Sequence, residues 1–124
     1  MRLNILKRIF FEAIPILLMI LLIPFIKNDY LLALIYTIII LASFKIRYIT
    51  DEYKVFIAGF ILMPVFEFVF IKTGVETFQR NSLLGFMPLW LPFLWGYGFV
   101  AIRRVSIYII KLFNLIISLH FLNF

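Results

Sequence analysis

Cysteine is absent from this chain of 124 residues, histidine occurs once, and Asp and Glu together number six. Without cysteine there is no disulfide, no thiolate metal site and no thiol nucleophile, and nothing can be read about redox compartment. The one histidine, His120, stands near the C-terminus with no Asp, Glu or second His at metal-ligand spacing. It reads as an interfacial packing residue rather than a ligand. No phosphate-binding Gly-rich loop, dinucleotide fingerprint or Ser/His/Asp set occurs either. Neither a metal nor a cofactor is expected.

What is present is apolar: 65% of the residues are hydrophobic and sixteen are phenylalanine. Soluble domains are closer to half apolar. A domain this small has too high a surface-to-volume ratio to bury the excess. Lipid must take it up, so the chain reads as a single integral membrane domain over 1–124.

The net charge of +6 does not point to nucleic acid, because no basic face interleaves with exposed aromatics. Instead the cations flank apolar runs, where topology and lipid phosphates favour them. Four such runs are expected to cross the membrane, at about 9–26, 30–48, 53–71 and 86–102, each near the length a hydrocarbon core requires. Helices are expected because lipid tolerates no unsatisfied backbone, and no alternating barrel pattern is present. Pro15 and Pro24 fall near the ends of the first run. That run reads as retained, since Glu12 interrupts its apolar region and no small-residue cleavage site follows.

Arg2, Lys7, Arg8, Lys45, Arg47, Lys54, Arg103, Arg104 and Lys111 fall on one side of these spans, and Lys27, Lys72 and Arg80 on the other. The positive-inside rule then places both termini in the cytoplasm of a multi-pass cell-membrane protein. Residues 105–124 place Arg103, Arg104, Lys111, Asn114 and Ser118 on one face at helical spacing. They read as an amphipathic helix on the cytoplasmic leaflet, with a fifth span as the alternative. The expected fold class is all-α, a four-span bundle plus this C-terminal amphipathic helix.

Chemistry, if present, should lie in 53–104. Glu67 sits at membrane depth three residues after Pro64, whose ring removes a backbone bond to residue 60. Intramembrane acids tend to be functional, and Glu67 is the candidate catalytic proton donor. The alternative is a structural pairing with Lys72, Arg80, Trp or Tyr. Glu12, four residues from Arg8, reads as a helical pair or an interfacial acid. In the loop 73–85, Glu76 and Arg80 either pair in water or fold back over Glu67 with Arg80 as counter-ion. PLWLPFLWGYG (88–98) supplies candidate pocket walls in Trp90, Trp95, Gly96 and Tyr97. The prolines there preset a helix start and the glycines permit close approach.

Glu67, Gly74, Phe78, Gly85, Pro88, Trp90, Leu91, Pro92, Trp95, Gly96 and Arg103 form a pattern that resembles a group of small prokaryotic polytopic membrane proteins. Their motif is a Glu in one span, then Gly-x-Pro-x-Trp-Leu-Pro-x-x-Trp-Gly and a basic end. Here the Gly85–Pro88 spacing is one residue longer, and Glu76 stands where the group often has Trp. The layout is also similar to small carotenoid enzymes of the lycopene-cyclase and bacterioruberin-hydratase type, whose Pro-x-Glu-Glu signature corresponds to Pro64-Val-Phe-Glu67 with one acid and one extra residue. That resemblance implies acid chemistry on a polyisoprenoid by Glu67, in a pocket of Pro64, Trp90, Trp95, Gly96, Tyr97, Arg80 and Glu76.

Three functions therefore stand as expectations. The first is an accessory, scaffold or lipid-interacting membrane subunit. The second is the polyisoprenoid enzyme, and the third an oligomeric carrier of protons or small solutes past Glu67. The expected partners are membrane lipids and either a homo-oligomer or a larger membrane protein, with no nucleic acid.

Overall fold

A computed structural model describes residues 2–46, 48, 50–74, 80, 82–85 and 87–122. Four helices occupy most of them: α1 Arg2–Leu22, α2 Asp29–Ile46, α3 Glu52–Lys72 and α4 Leu91–Leu122. Among the described residues there is no named strand; Leu83 and Met87 form one isolated antiparallel bridge. By length and composition α2 and α3 are apolar enough to cross a membrane.

Local chemistry sets the ends. Helix α1 starts seven residues before the expected 9, because nothing in RLNILKR opposes a helix, and Pro15 consequently lies inside it. The turn after Leu22 precedes Pro24, which biases its predecessor away from helix. Asn28 caps α2: its Oδ1 accepts from the amides of Tyr30 at 3.0 Å and Leu31 at 3.3 Å, two donors that otherwise lack helical partners. Helix α3 runs through Pro64 without interruption and ends at Thr73, with Gly74 left-handed at φ 80°, a usual helix stop.

The expected boundary between a fourth span and a separate amphipathic helix does not exist. Pro88–Trp90 form a turn, and from Leu91 one helix continues for 32 residues. No proline or glycine follows Gly98 to break it, and Arg103 and Arg104 are good helix formers. At 1.5 Å per residue α4 is about 48 Å long, far longer than its neighbours.

Helix α4 is also the hub. It packs most extensively on α3, then on α1, and more lightly on α2; α1 and α2 also touch. The α3–α4 crossing is close because two glycines meet it. A Cβ on Gly59 would lie 2.7 Å from the Trp95 carbonyl, and one on Gly96 would lie 2.9 Å from that of Phe56. Tyr36, Tyr97, Met19, Leu32 and Val100 are fully buried between helices.

Candidate functional site

The polar side chains of the interior gather at two levels. At one end Arg104 of α4 draws in a side chain from each of the other helices. Its Nε and Nη2 donate to the two Glu52 carboxylate oxygens of α3, at 2.5 and 2.7 Å. Its Nη1 donates to Ser43 Oγ of α2 at 2.7 Å and, more weakly, to Tyr97 Oη at 3.4 Å. Ser43 and Tyr97 hydroxyls are themselves 2.7 Å apart. Glu12 of α1 brings a carboxylate oxygen to 3.7 Å from Nη1. Glu12 and Arg104 are each 2% exposed and Glu52 is 0% exposed, so these ions have exchanged water for one another. A forked guanidinium suits the task, because it can satisfy a carboxylate bidentately and still reach two hydroxyls.

At the opposite end Asp29, the first residue of α2, receives the α3–α4 connection. Its Oδ2 accepts from Ser82 Oγ at 2.5 Å and its Oδ1 from Trp90 Nε1 at 3.2 Å. The Arg80 Nε lies 3.6 Å from the same carboxylate, and its Nη2 donates to the Ile26 carbonyl at 2.7 Å. Ser82 Oγ in turn accepts from the Leu89 amide at 2.7 Å. Below this cluster the Tyr36 ring meets Trp90 edge-on at 6.1 Å, and its hydroxyl donates to the Met19 carbonyl. The connection is thus fastened to the α1–α2 turn.

Glu67 is buried against α4, where Trp95 Nε1 donates to its Oε1 at 3.2 Å. This bond brings Trp95, an expected pocket residue, to Glu67. Arg80 reaches Asp29 and the Ile26 carbonyl. Trp90 serves Asp29 too, Tyr97 faces Ser43 and Arg104, and the space over Gly96 is filled by Phe56. Pro64 lines a separate apolar cavity of about 250 Å³ with Val65, Phe68, Leu83, Leu84 and Met87. Glu76 lies outside the described residues. Glu12, expected to pair along its own helix or lie at the interface, is instead buried beside Arg104.

A second apolar cavity of about 370 Å³ lies between α1 and α4. A smaller one, about 200 Å³, opens beside Glu12, Ser43 and Arg104, walled by Phe11, Ile14, Pro15 and Ile46. An open basic groove at Asn4, Lys7, Arg8 and Phe11 accompanies the N-terminal turn of α1. Glu67 lines none of these four. Among the described residues no three His, Asp or Glu side chains converge as metal ligands.

Sequence reasoning missed Asp29, Ser43 and Glu52 and took Arg104 for a topology charge only. One signal was available. Asp29 to Ser43 along α2, and Trp90 just before α4 to Arg104 within it, are both fourteen residues, about 21 Å of helix. Polar residues at equal depth on helices joined by short turns are natural partners. No family model, curated protein or solved structure matches the chain.

Proposed function

We propose that this chain is a multi-pass membrane protein that crosses the bilayer four times with both termini in the cytoplasm, and that it works as a structural, lipid-interacting subunit rather than as an enzyme. The observation that carries the reading is its inverted partition. Glu12, Asp29, Glu52, Glu67 and Arg104 are buried, whereas large apolar side chains such as Phe10, Leu21, Leu34, Leu41, Ile61 and Val65 are each at least about half exposed. Water would penalise that surface and lipid rewards it. Ions at such depth persist only when paired.

The two polar clusters support the topology. Lys45 and Lys54 flank the Arg104 level, and Arg80 and Ser82 join the α1–α2 turn at the Asp29 level. The nine-cation end is then cytoplasmic by the positive-inside rule. The structural role is supported by where the polar groups go. Arg104 joins side chains from all three other helices, and Asp29 joins Ser82 and Trp90 to the start of α2, as braces of a bundle do.

Single-cysteine variants of this cysteine-free chain test the topology with a membrane-impermeant maleimide. Lys27→Cys should label in intact cells, and Asn4→Cys, Thr50→Cys and His120→Cys only after permeabilisation; the reverse pattern refutes the orientation. Native mass spectrometry with lipid extraction tests the role, on wild type and Glu67→Gln. Only bulk phospholipid in both supports the structural reading. A co-purified polyisoprenoid altered between the two overturns it in favour of acid chemistry at Glu67.

A further inference from the structure

The second half of α4 runs past the start of α3. Arg104 is level with Glu52, the first residue of α3, so the eighteen residues from Val105 to Leu122 run about 27 Å past it. Helix α1 follows for only part of that way. Ile109, Ile110, Phe113, Ile116 and Phe121 are all strongly exposed there. If the roughly 30 Å hydrocarbon layer is centred between the two polar clusters, its cytoplasmic boundary falls about three residues beyond Arg104. The rest of α4, still rich in Ile, Leu and Phe, would then stand in water.

One line of apolar residues in this segment is ordered, while Ile110, Phe113 and Phe121 lie off it. Ile102, Val105, Ile109, Leu112, Ile116 and Leu119 follow one another at alternating spacings of three and four, the a/d seam of a coiled coil, with Ile at every a position and Val or Leu at every d. Arg103, Arg104, Lys111, Asn114 and Ser118 occupy b, c and f positions, away from the seam. Geometry finds the same line independently. The 370 Å³ cavity between α1 and α4 is lined by Gly98, Ile102, Val105 and Ile109, four successive seam positions. Its other α4 residues, Ala101 and Ser106, are the flanking g and e positions, and Ala13 and Ile16 of α1 form the far wall. A Cβ on Gly98 would meet nothing within 4 Å, so a neighbouring backbone has room to approach.

We infer that this groove and its continuation along α4 are a docking surface for a second copy of the chain, seated α4 against α4 in parallel about a twofold axis along the membrane normal. The composition chooses the occupant. Ile at a with Leu at d favours two parallel strands. Two copies inserted in one orientation can meet about a membrane-normal twofold only with like helices parallel, and such an interface is self-complementary. Lipid could fill the groove within the bilayer, but it cannot cover a seam that leaves the bilayer. Small residues at the groove suit close helix packing in lipid. The inference rests on the membrane placement proposed above.

The absence of cysteine makes the test clean. Ile109→Cys, Leu112→Cys and Ile116→Cys lie on the seam, and Lys111→Cys, Asn114→Cys and Ser118→Cys lie off it. Each full-length variant is oxidised in native membranes after a carbonate wash and resolved without reductant. A parallel pairing holds like seam positions within disulfide reach and keeps the others apart, so seam variants should trap dimer at least about fivefold more than off-seam ones. Gly98→Leu, added to Ile109→Cys, puts bulk into the groove at a position where a Cβ meets nothing within 4 Å and should reduce trapping about tenfold. Failure to trap dimer, trapping indifferent to the face, or cross-links only to other proteins overturns the pairing. Retention in washed membranes without the periodic cross-link sinks the pairing alone, whereas carbonate extraction with the cross-link intact sinks the membrane placement instead.

Discussion

Replacing Arg104 with Met should be the most damaging single substitution in the bundle. The methionine keeps much of the aliphatic stem and therefore isolates the loss of charge and donors. Two bonds to Glu52, one to Ser43 and a longer one to Tyr97 disappear, along with the 3.7 Å attraction of Glu12. Glu52 and Glu12 are then left in the interior without this cation. Bonds to charged groups contribute about 1.5–3 kcal/mol each when measured singly, but such contributions do not add. Removing one partner of a buried ion pair costs about 3–5 kcal/mol, and that is the magnitude expected here. Hydrogen bonds between membrane helices in isolation average only about 0.6 kcal/mol, so the two descriptions of this site differ several-fold. The assay is reversible unfolding in mixed detergent, titrated with dodecyl sulfate and followed by the fluorescence of Trp90 and Trp95. A double-mutant cycle with Glu52→Gln completes it. The double variant should be more stable than the sum of the single losses predicts, because it leaves no orphaned carboxylate at Glu52. A loss below about 1 kcal/mol for Arg104→Met, or strict additivity in the cycle, would show that the cluster is solvated and refute the reasoning.

Ser82→Ala removes one donor to Asp29 and the acceptor of the Leu89 amide; about 1–3 kcal/mol of local stability should go, read as faster proteolysis within 73–90. Gly59→Ala should force α3 from α4 and cost about 1–3 kcal/mol in the same unfolding assay, while Gly98→Ala should stay within about 0.5 kcal/mol of wild type. Leu84 is left-handed at φ 54° and 84% exposed; Leu84→Gly should raise stability by about 1 kcal/mol by relieving that backbone, seen as a higher thermal midpoint in detergent.

The helices were legible because their signals are local. Apolar runs and flanking cations act within a turn or two, and α2 and α3 depart from expectation by only a residue or two at each end. Helix α4 was misdivided because charge was read as a boundary. Arg103 and Arg104 look like the end of a span to any rule that counts charges, yet Arg104 is an interior residue whose partners include Ser43, 61 residues away, and the still more distant Glu12. The expected pocket residues are spread over several contacts for a different reason. Pro64, Glu67, Trp90, Trp95, Gly96 and Tyr97 are close in sequence, and proximity suggested one pocket. Helical rotation sends them to different neighbours: Gly96 to Phe56, Tyr97 to Ser43, Trp90 to Asp29 and Trp95 to Glu67.

The placement of the charges argues for a role in which geometry matters more than turnover. A buried ion pair is a weak source of net stability, since apolar residues of like volume often serve as well or better. What it supplies is discrimination between arrangements. In lipid, where helices gain little from burying apolar faces against each other, many rotations and depths of four greasy helices are nearly equal in energy. Arg104 removes that degeneracy, because only one rotation of α4 presents its fork to Glu52 while reaching Ser43 and Glu12. Asp29 does the same from the other end through Ser82 and Trp90. Fixing rotation at both ends fixes the direction in which the seam of α4 faces, away from Arg103, Arg104 and Lys111. On the proposed pairing a second copy meets that seam only if its angle is set, which would make the interior charges and the exterior apolar line one device.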